Sequence, residues 1–185
     1  MPNKKTQERM KIAVYCSANN DIAEEYYDAT RRLGEWMAAS GHTLVWGGGN
    51  CGLMGCIGDT VHAHGGRTIG MVPRALEKTG RVSDNIDVYI PTNGLDDRKE
   101  LMITQSDIAI ALPGGIGTLD EIFTQAGSNT IGFHSKKVIL YNVRGFWDTT
   151  IALLEFMQDN GMVRGHWTDY IVVAKDIEEI SRLVV

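Results

Sequence analysis

Two charged residues and two runs of glycine are the groups in this chain whose types and spacing could do chemistry. Glu121 closes the stretch Pro113-Gly114-Gly115-Ile116-Gly117-Thr118-Leu119-Asp120-Glu121. A carboxylate held beside a sugar can stabilise positive charge on it or draw a proton from water. Gly114, Gly115 and Gly117 let the backbone adopt φ > 0 or approach a ligand closely. A helix beginning at Thr118 would offer an anion unpaired N–H groups and roughly half a positive charge. These residues read as a phosphate cradle with Glu121 one turn into the helix. The same spacing also fits a capping box, in which the Thr118 and Glu121 side chains satisfy each other's backbone donors. Spacing leaves both readings open. Glu121→Gln separates them, because Gln can cap but cannot act as a base.

The second charged candidate is Arg98, within Asp96-Asp97-Arg98-Lys99-Glu100. Aspartates suit a first helical turn and cations do not. Arg98 lies three and four residues before Leu101 and Met102, so it shares their apolar face, where a charge needs a partner. One reading is a solvated run pairing within itself. The other is that Arg98 reaches a buried anion: Glu121, a phosphate, or both. The second glycine run, Gly47-Gly48-Gly49 with Gly52 and Gly55, lacks GxGxxG spacing, and no Walker pattern is present. It is either tight turns with close helix–sheet packing or a second loop lining a phosphate or ribose pocket. His62 and His64 are two apart on a helix and point to different faces, so they make no metal pair. No GxSxG elbow is present.

The elements that must position these groups alternate. Strands are expected over Lys11–Cys16, Thr43–Trp46, Arg67–Val72, Ile86–Ile90 (stopped by Pro91), Asp107–Leu112, Lys137–Asn142 and Ile171–Val173. Helices are expected over Asp21–Ser40, Leu53–Ala63, Asp96–Gln105, Thr118–Thr130, Trp147–Asn160 and Asp176–Leu183. The alternation implies an α/β fold with a mainly parallel sheet covered on both faces. Ligands then sit beyond the carboxyl ends of the strands. Cys16-Ser17, Gly47-Gly48-Gly49, Pro73-Arg74 and Pro113-Gly114-Gly115 all follow strands at that edge, which argues for one shared site. Residues 1–10 are expected to be a frayed tail, and 11–185 a single domain.

Bulk properties narrow the class. A chain of 185 residues is long enough for a full core. Its net charge of −5 argues against non-specific nucleic-acid binding. Cys16, Cys51 and Cys56 form no CxxC pair, which suits a reduced cytoplasmic compartment. The polar start, Met1 to Lys11, carries no apolar signal core, and no apolar run reaches about 18 residues, so no membrane partner is expected.

With these residues assembled, the sequence resembles the LOG ("Lonely Guy") family of cytokinin-activating phosphoribohydrolases. The signature PGGxGTxxE is matched from Pro113 to Glu121, GGGxxGLMG from Gly47 to Gly55, and the Arg-Lys pair at Arg98-Lys99. The resemblance implies a Rossmann-like fold, a homodimer with sites at or near the interface, and no metal or redox cofactor. It implies hydrolysis of the N-glycosidic bond of an adenosine 5′-monophosphate, often N6-substituted, to free base and ribose 5-phosphate. On it, Arg98 and Glu121 are catalytic. Gly47, Gly48, Gly49, Arg98, Lys99, Gly114, Gly115, Ile116, Gly117, Thr118 and Glu121 bind substrate. Two departures, Leu95-Asp96 where many members carry Met-His, and Cys16-Ser17-Ala18-Asn19 in the first turn, bear on substrate preference. Related sequences have been labelled lysine decarboxylases, but no motif supports pyridoxal chemistry on a Schiff-base lysine. Two rivals predict no hydrolysis: a nucleotide- or cofactor-binding module on the same fold, and a structural dimer whose glycines serve packing.

Overall fold

A computed structural model describes residues 8–184. Seven strands form one sheet: β1 (Lys11–Tyr15), β2 (Thr43–Trp46), β3 (Arg67–Pro73), β4 (Val88–Thr92), β5 (Ile108–Ala111), β6 (Val138–Tyr141) and β7 (Ile171–Ala174). Six α-helices connect them: α1 (Glu24–Ala39), α2 (Gly52–Ala63), α3 (Leu95–Thr104), α4 (Ile116–Thr130), α5 (Asp148–Asp159) and α6 (Ile177–Leu183). Every strand pair is parallel, in the order β4-β3-β2-β1-β5-β6-β7. This is a Rossmann-like α/β architecture. The chain winds outward from β1 to β4 and then crosses back to β5, which makes the β1–β5 boundary the topological switch point where such folds bind ligands.

Strand residues alternate between two apolar layers. Ile12 and Val14 of β1 pack with Leu33 and Met37 of α1, Ile57 and Val61 of α2, and Ile180 of α6. Ala13 and Tyr15 point the other way, among Met102 of α3, Ile122 and Ala126 of α4, and Trp147 and Leu154 at α5. Burial on both faces explains why these strands read as continuous apolar runs rather than alternating ones. Tyr15 thereby lies on the α4 side of the sheet.

Most bounds differ from expectation by one to three residues, and two differences are informative. Helix α4 begins at Ile116, not Thr118, so Thr118 sits inside the helix and Gly115 is its N-cap, with no side-chain cap bond. The β4 strand runs through Pro91 to Thr92 instead of stopping there. Among the described residues β4 pairs only with β3, so the missing proline N–H is tolerated at the sheet edge. Of the expected tail, residues 1–7 lie outside the described residues. Met10 is tied in: its N–H donates to His42 Nδ1 at 3.1 Å and its carbonyl accepts from Thr43 N. No helix among the described residues is long and apolar enough to cross a membrane.

Candidate active site

The four strand-end loops meet at one edge of the sheet. Ser17, just past β1, donates its N–H to Pro113 O beyond β5, and its carbonyl accepts from Met54 N of α2. Leu112 N donates to Tyr15 O, so β1 and β5 stay stitched past their last ladder bonds. Asn50 N donates to Arg81 O and Ser83 N to Gly48 O, which pulls the segment after β3 onto the glycine turn after β2.

The two helix N-termini at this edge have different fates. The first amide of α2, Gly52 N, is taken by Asn20 Oδ1 at 2.8 Å. A Cβ at Gly52 would lie 2.6 Å from Asn19 O, so the loop after β1 covers that terminus. Gly55 and Gly58 leave no room either, against the Asn50 backbone and the Trp46 indole. Packing therefore accounts for these three glycines. At α4, by contrast, Cβ atoms at Gly115 and Gly117 would meet open space, and Ile116 is 87% exposed. The first helical bond there is Leu119 N to Gly115 O, so the amides of Ile116, Gly117 and Thr118 precede it. None of Gly114, Gly115 and Gly117 has positive φ, contrary to one expectation. Gly114 is needed for space instead, since a Cβ would overlap the Thr118 hydroxyl.

Arg98 of α3 and Glu121 of α4 are brought together by helices separated in sequence by β5. Arg98 Nη2 lies 3.7 Å from Glu121 Oε1, with side-chain exposures of 13% and 9%. The guanidinium stacks over Gly47, where a Cβ would overlap Nη2. Its Nε is buried with no hydrogen-bond partner among the described residues. A buried guanidinium held by one loose ion pair is an expensive arrangement unless another anion joins it. Burial pushes the Glu121 carboxyl up to about 7, a rise opposed by Arg98 and assisted by Asp120. The same burial, with Glu121 nearby, pushes the Tyr15 hydroxyl and the Cys16 thiol pKa well up, so both stay neutral. Tyr15 donates instead to Gln125 Oε1 at 2.7 Å.

The remaining expected site residues separate into two groups. Gly47, Gly49 and Arg98 line a cleft of about 390 Å³ with Asn19, Met54 and Arg81. Gly48 supports it from below with φ +68. Lys99 turns away: its ammonium binds Asp120 at 2.9 Å and Asp96 at 3.2 Å, tying α3 to α4. The alternative reading, a capping box between Thr118 and Glu121, is not what forms, because both side chains are already inside the helix. Sequence reasoning missed Tyr15, Asn20 and Arg81. Tyr15 looks like any strand-end aromatic, and Arg81 falls in a stretch without periodicity.

A parallel, doubly wound sheet, an uncovered helix N-terminus at its switch point and a buried Arg–Glu pair define a Rossmann-like protein with a candidate anion site. Residues 54–184 match the family model described as "Possible lysine decarboxylase". A cytokinin riboside 5′-monophosphate phosphoribohydrolase of Mycobacterium tuberculosis is 34% identical over 92% of this chain and 91% of its own. The Arabidopsis thaliana enzyme of the same description, LOG2, is 32% identical over 94% and 82%. The chain belongs to this LOG family. Among solved structures, the molybdenum cofactor carrier protein of Chlamydomonas reinhardtii superimposes with a TM-score of 0.71 at 25% identity, covering 96% of each chain. The molybdenum cofactor binding protein of Rippkaea orientalis gives 0.70 at 23%, over 95% and 96%. These two likenesses are of fold. The decarboxylase description finds no support at Lys99, since its hydrogen bond to Asp120 raises its pKa, whereas a Schiff-base lysine needs a lowered one.

Proposed function

We propose that the protein hydrolyses the N-glycosidic bond of adenosine 5′-monophosphates, AMP or its N6-substituted forms, releasing free base and ribose 5-phosphate. One observation carries this reading: the Arg98 guanidinium, buried over Gly47, holds Glu121 at 3.7 Å and leaves Nε unpartnered. The 5′-phosphate binds the uncovered start of α4, at the amides of Gly115 to Thr118, where dipole and free donors favour an anion. That fixes the ribose against Glu121. As the C1′–N9 bond breaks, N9 leaves with the electron pair and takes up a proton from solvent, C1′ becomes cation-like, and the proton that Glu121 later takes from water returns to solvent. Ionised Glu121 stabilises C1′ and accepts the proton of the attacking water. Arg98 orients Glu121 and contacts the phosphate or the departing base. Lys99 acts from behind by fixing α3 on α4.

The test is adenine release from AMP by the purified protein. Saturable AMP binding with no base released would instead support a binding module on the same fold. Gly47→Ala probes the positioning of Arg98. The added methyl forces the guanidinium aside, so the rate falls about 10²-fold while the thermal midpoint stays near that of the parent, as read by assay and melting curve.

We also propose a cytoplasmic homodimer. Three free cysteines suit a reducing compartment. Phe133 is 78% exposed and Phe156 is 66% exposed, and Ile131 and Met162, also near α4 and α5, are exposed apolar side chains too. Exposed apolar patches mark interfaces. A second copy is the fitting occupant, because the family resemblance implies a homodimer with sites near its interface. Phe156→Arg shifts the mass measured by light scattering from dimer to monomer.

A further inference from the structure

The cleft beyond Arg98 carries two arginines, Arg81 and Arg98, and no aspartate or glutamate among the residues lining it. This is unusual for a chain of net charge −5. Arg81 is not on a loose loop. Asn50 Nδ2 donates to Gly80 O at 2.9 Å and to Val82 O at 3.3 Å, while Asn50 N donates to Arg81 O at 3.1 Å. Gly49 and Val82 form an antiparallel bridge, and Ser83 N binds Gly48 O. Arg81 is therefore clamped to the glycine turn over which Arg98 lies.

We infer that Arg81 is a specificity-determining residue at the base end of the site, favouring bases that present acceptor atoms. The inference rests on the nucleotide reading above. With phosphate at the start of α4 and the sugar at Glu121 and Arg98, the base extends past Arg98 into this cleft. Met54 and Leu76 give it apolar walls, and Arg81 meets its edge. A guanidinium has five donors and no acceptor. It matches the paired O6 and N7 acceptors of a 6-oxopurine, whereas adenine places an N6 donor beside N7 and suits an amide side chain. An N6-alkyl group would set an apolar chain against the charge. The substrate class assigned to the site thus extends to 6-oxopurine 5′-monophosphates, with N6-alkylated nucleotides disfavoured.

The experiment measures kcat/KM for base release from AMP, inosine 5′-monophosphate and isopentenyl-AMP, in the parent protein, Arg81→Met and Arg81→Lys. The side chain is exposed, so neither change threatens folding. The parent is expected to cleave inosine 5′-monophosphate at least about tenfold better than isopentenyl-AMP. Arg81→Met erases that ratio chiefly by lowering the inosine value, and Arg81→Lys restores only part of it, since Lys lacks the planar fork. Cleavage of AMP with no inosine activity overturns the assignment. So does an Arg81→Met variant that lowers all three substrates equally and weakens inhibition by ribose 5-phosphate, which would make Arg81 a phosphate ligand. Failure to release base from any nucleotide overturns the hydrolase reading itself.

Discussion

Glu121→Gln lowers the rate of adenine release from AMP by about 10²–10⁴-fold and leaves the fold intact. The fold survives because Glu121 caps nothing: α4 starts at Ile116, and no side chain bonds its N-terminal amides. Gln keeps the shape and loses the charge. The pH dependence gives the result a second signature. Burial raises the Glu121 carboxyl to about 7. In the parent, kcat/KM for AMP therefore falls as pH drops below about 7, where the group protonates, and the variant's residual rate lacks that limb. Stability moves in the opposite sense. A group whose folded pKa is raised favours the native state while it is protonated. That contribution is present below the ordinary carboxylate value of 4.5 and is lost as pH rises through about 7. The parent thus loses stability across this window and Glu121→Gln does not. The difference between their melting temperatures shifts in favour of the variant from pH 4.5 to 7 and then levels off.

Arg98→Ala should cost about 10²–10³-fold in the same assay, the loss typical of removing one positioned donor from developing charge. Arg98 does two things. It lies over Gly47 facing the cleft, and it is the stronger of the two positive groups, with Lys99, that oppose the burial of Glu121. Removing it leaves desolvation and Asp120 opposed only by the weaker pull of Lys99, so the acidic limb of the residual pH profile moves above pH 7. Arg98→Lys retains charge but loses the planar fork, and recovers only part of the rate. Stability changes little in Arg98→Ala, since the side chain makes one loose ion pair and buries an unpartnered Nε. Melting curves beside the rates check both halves of this prediction.

The strand and helix sequence was legible because each strand is buried on both faces and each helix on one, so apolar runs and helical stripes were unbroken. Pro91 misled, because the rule that proline ends a strand fails at a sheet edge. Thr118 misled differently. Capping-box spacing is a local signal, and here the helix starts earlier, with Gly115 as N-cap and Thr118 a residue inside it. The pairing of Arg98 with Glu121 could be suspected from the apolar face of α3. From sequence the turn after β5 reads as the phosphate cradle, while the second glycine run stays open between packing and a second pocket. Only the geometry of Asn19 and Asn20 against Gly52 closes one helix terminus and leaves the other open. Lys99 sits next to Arg98 in sequence, yet one helical step turns it to Asp120, outside the cleft. Arg81 had no local signal at all, since its place depends on Asn50 reaching across from the turn after β2.

The most direct measurement is a crystal structure with ribose 5-phosphate bound. The account predicts the phosphate at the backbone amides of Gly115 to Thr118, the sugar between Arg98 and Glu121, and the Glu121 carboxylate facing C1′. A phosphate seated at the α2 terminus or outside the strand-end edge, or a Glu121 side chain turned away from the sugar, would contradict it.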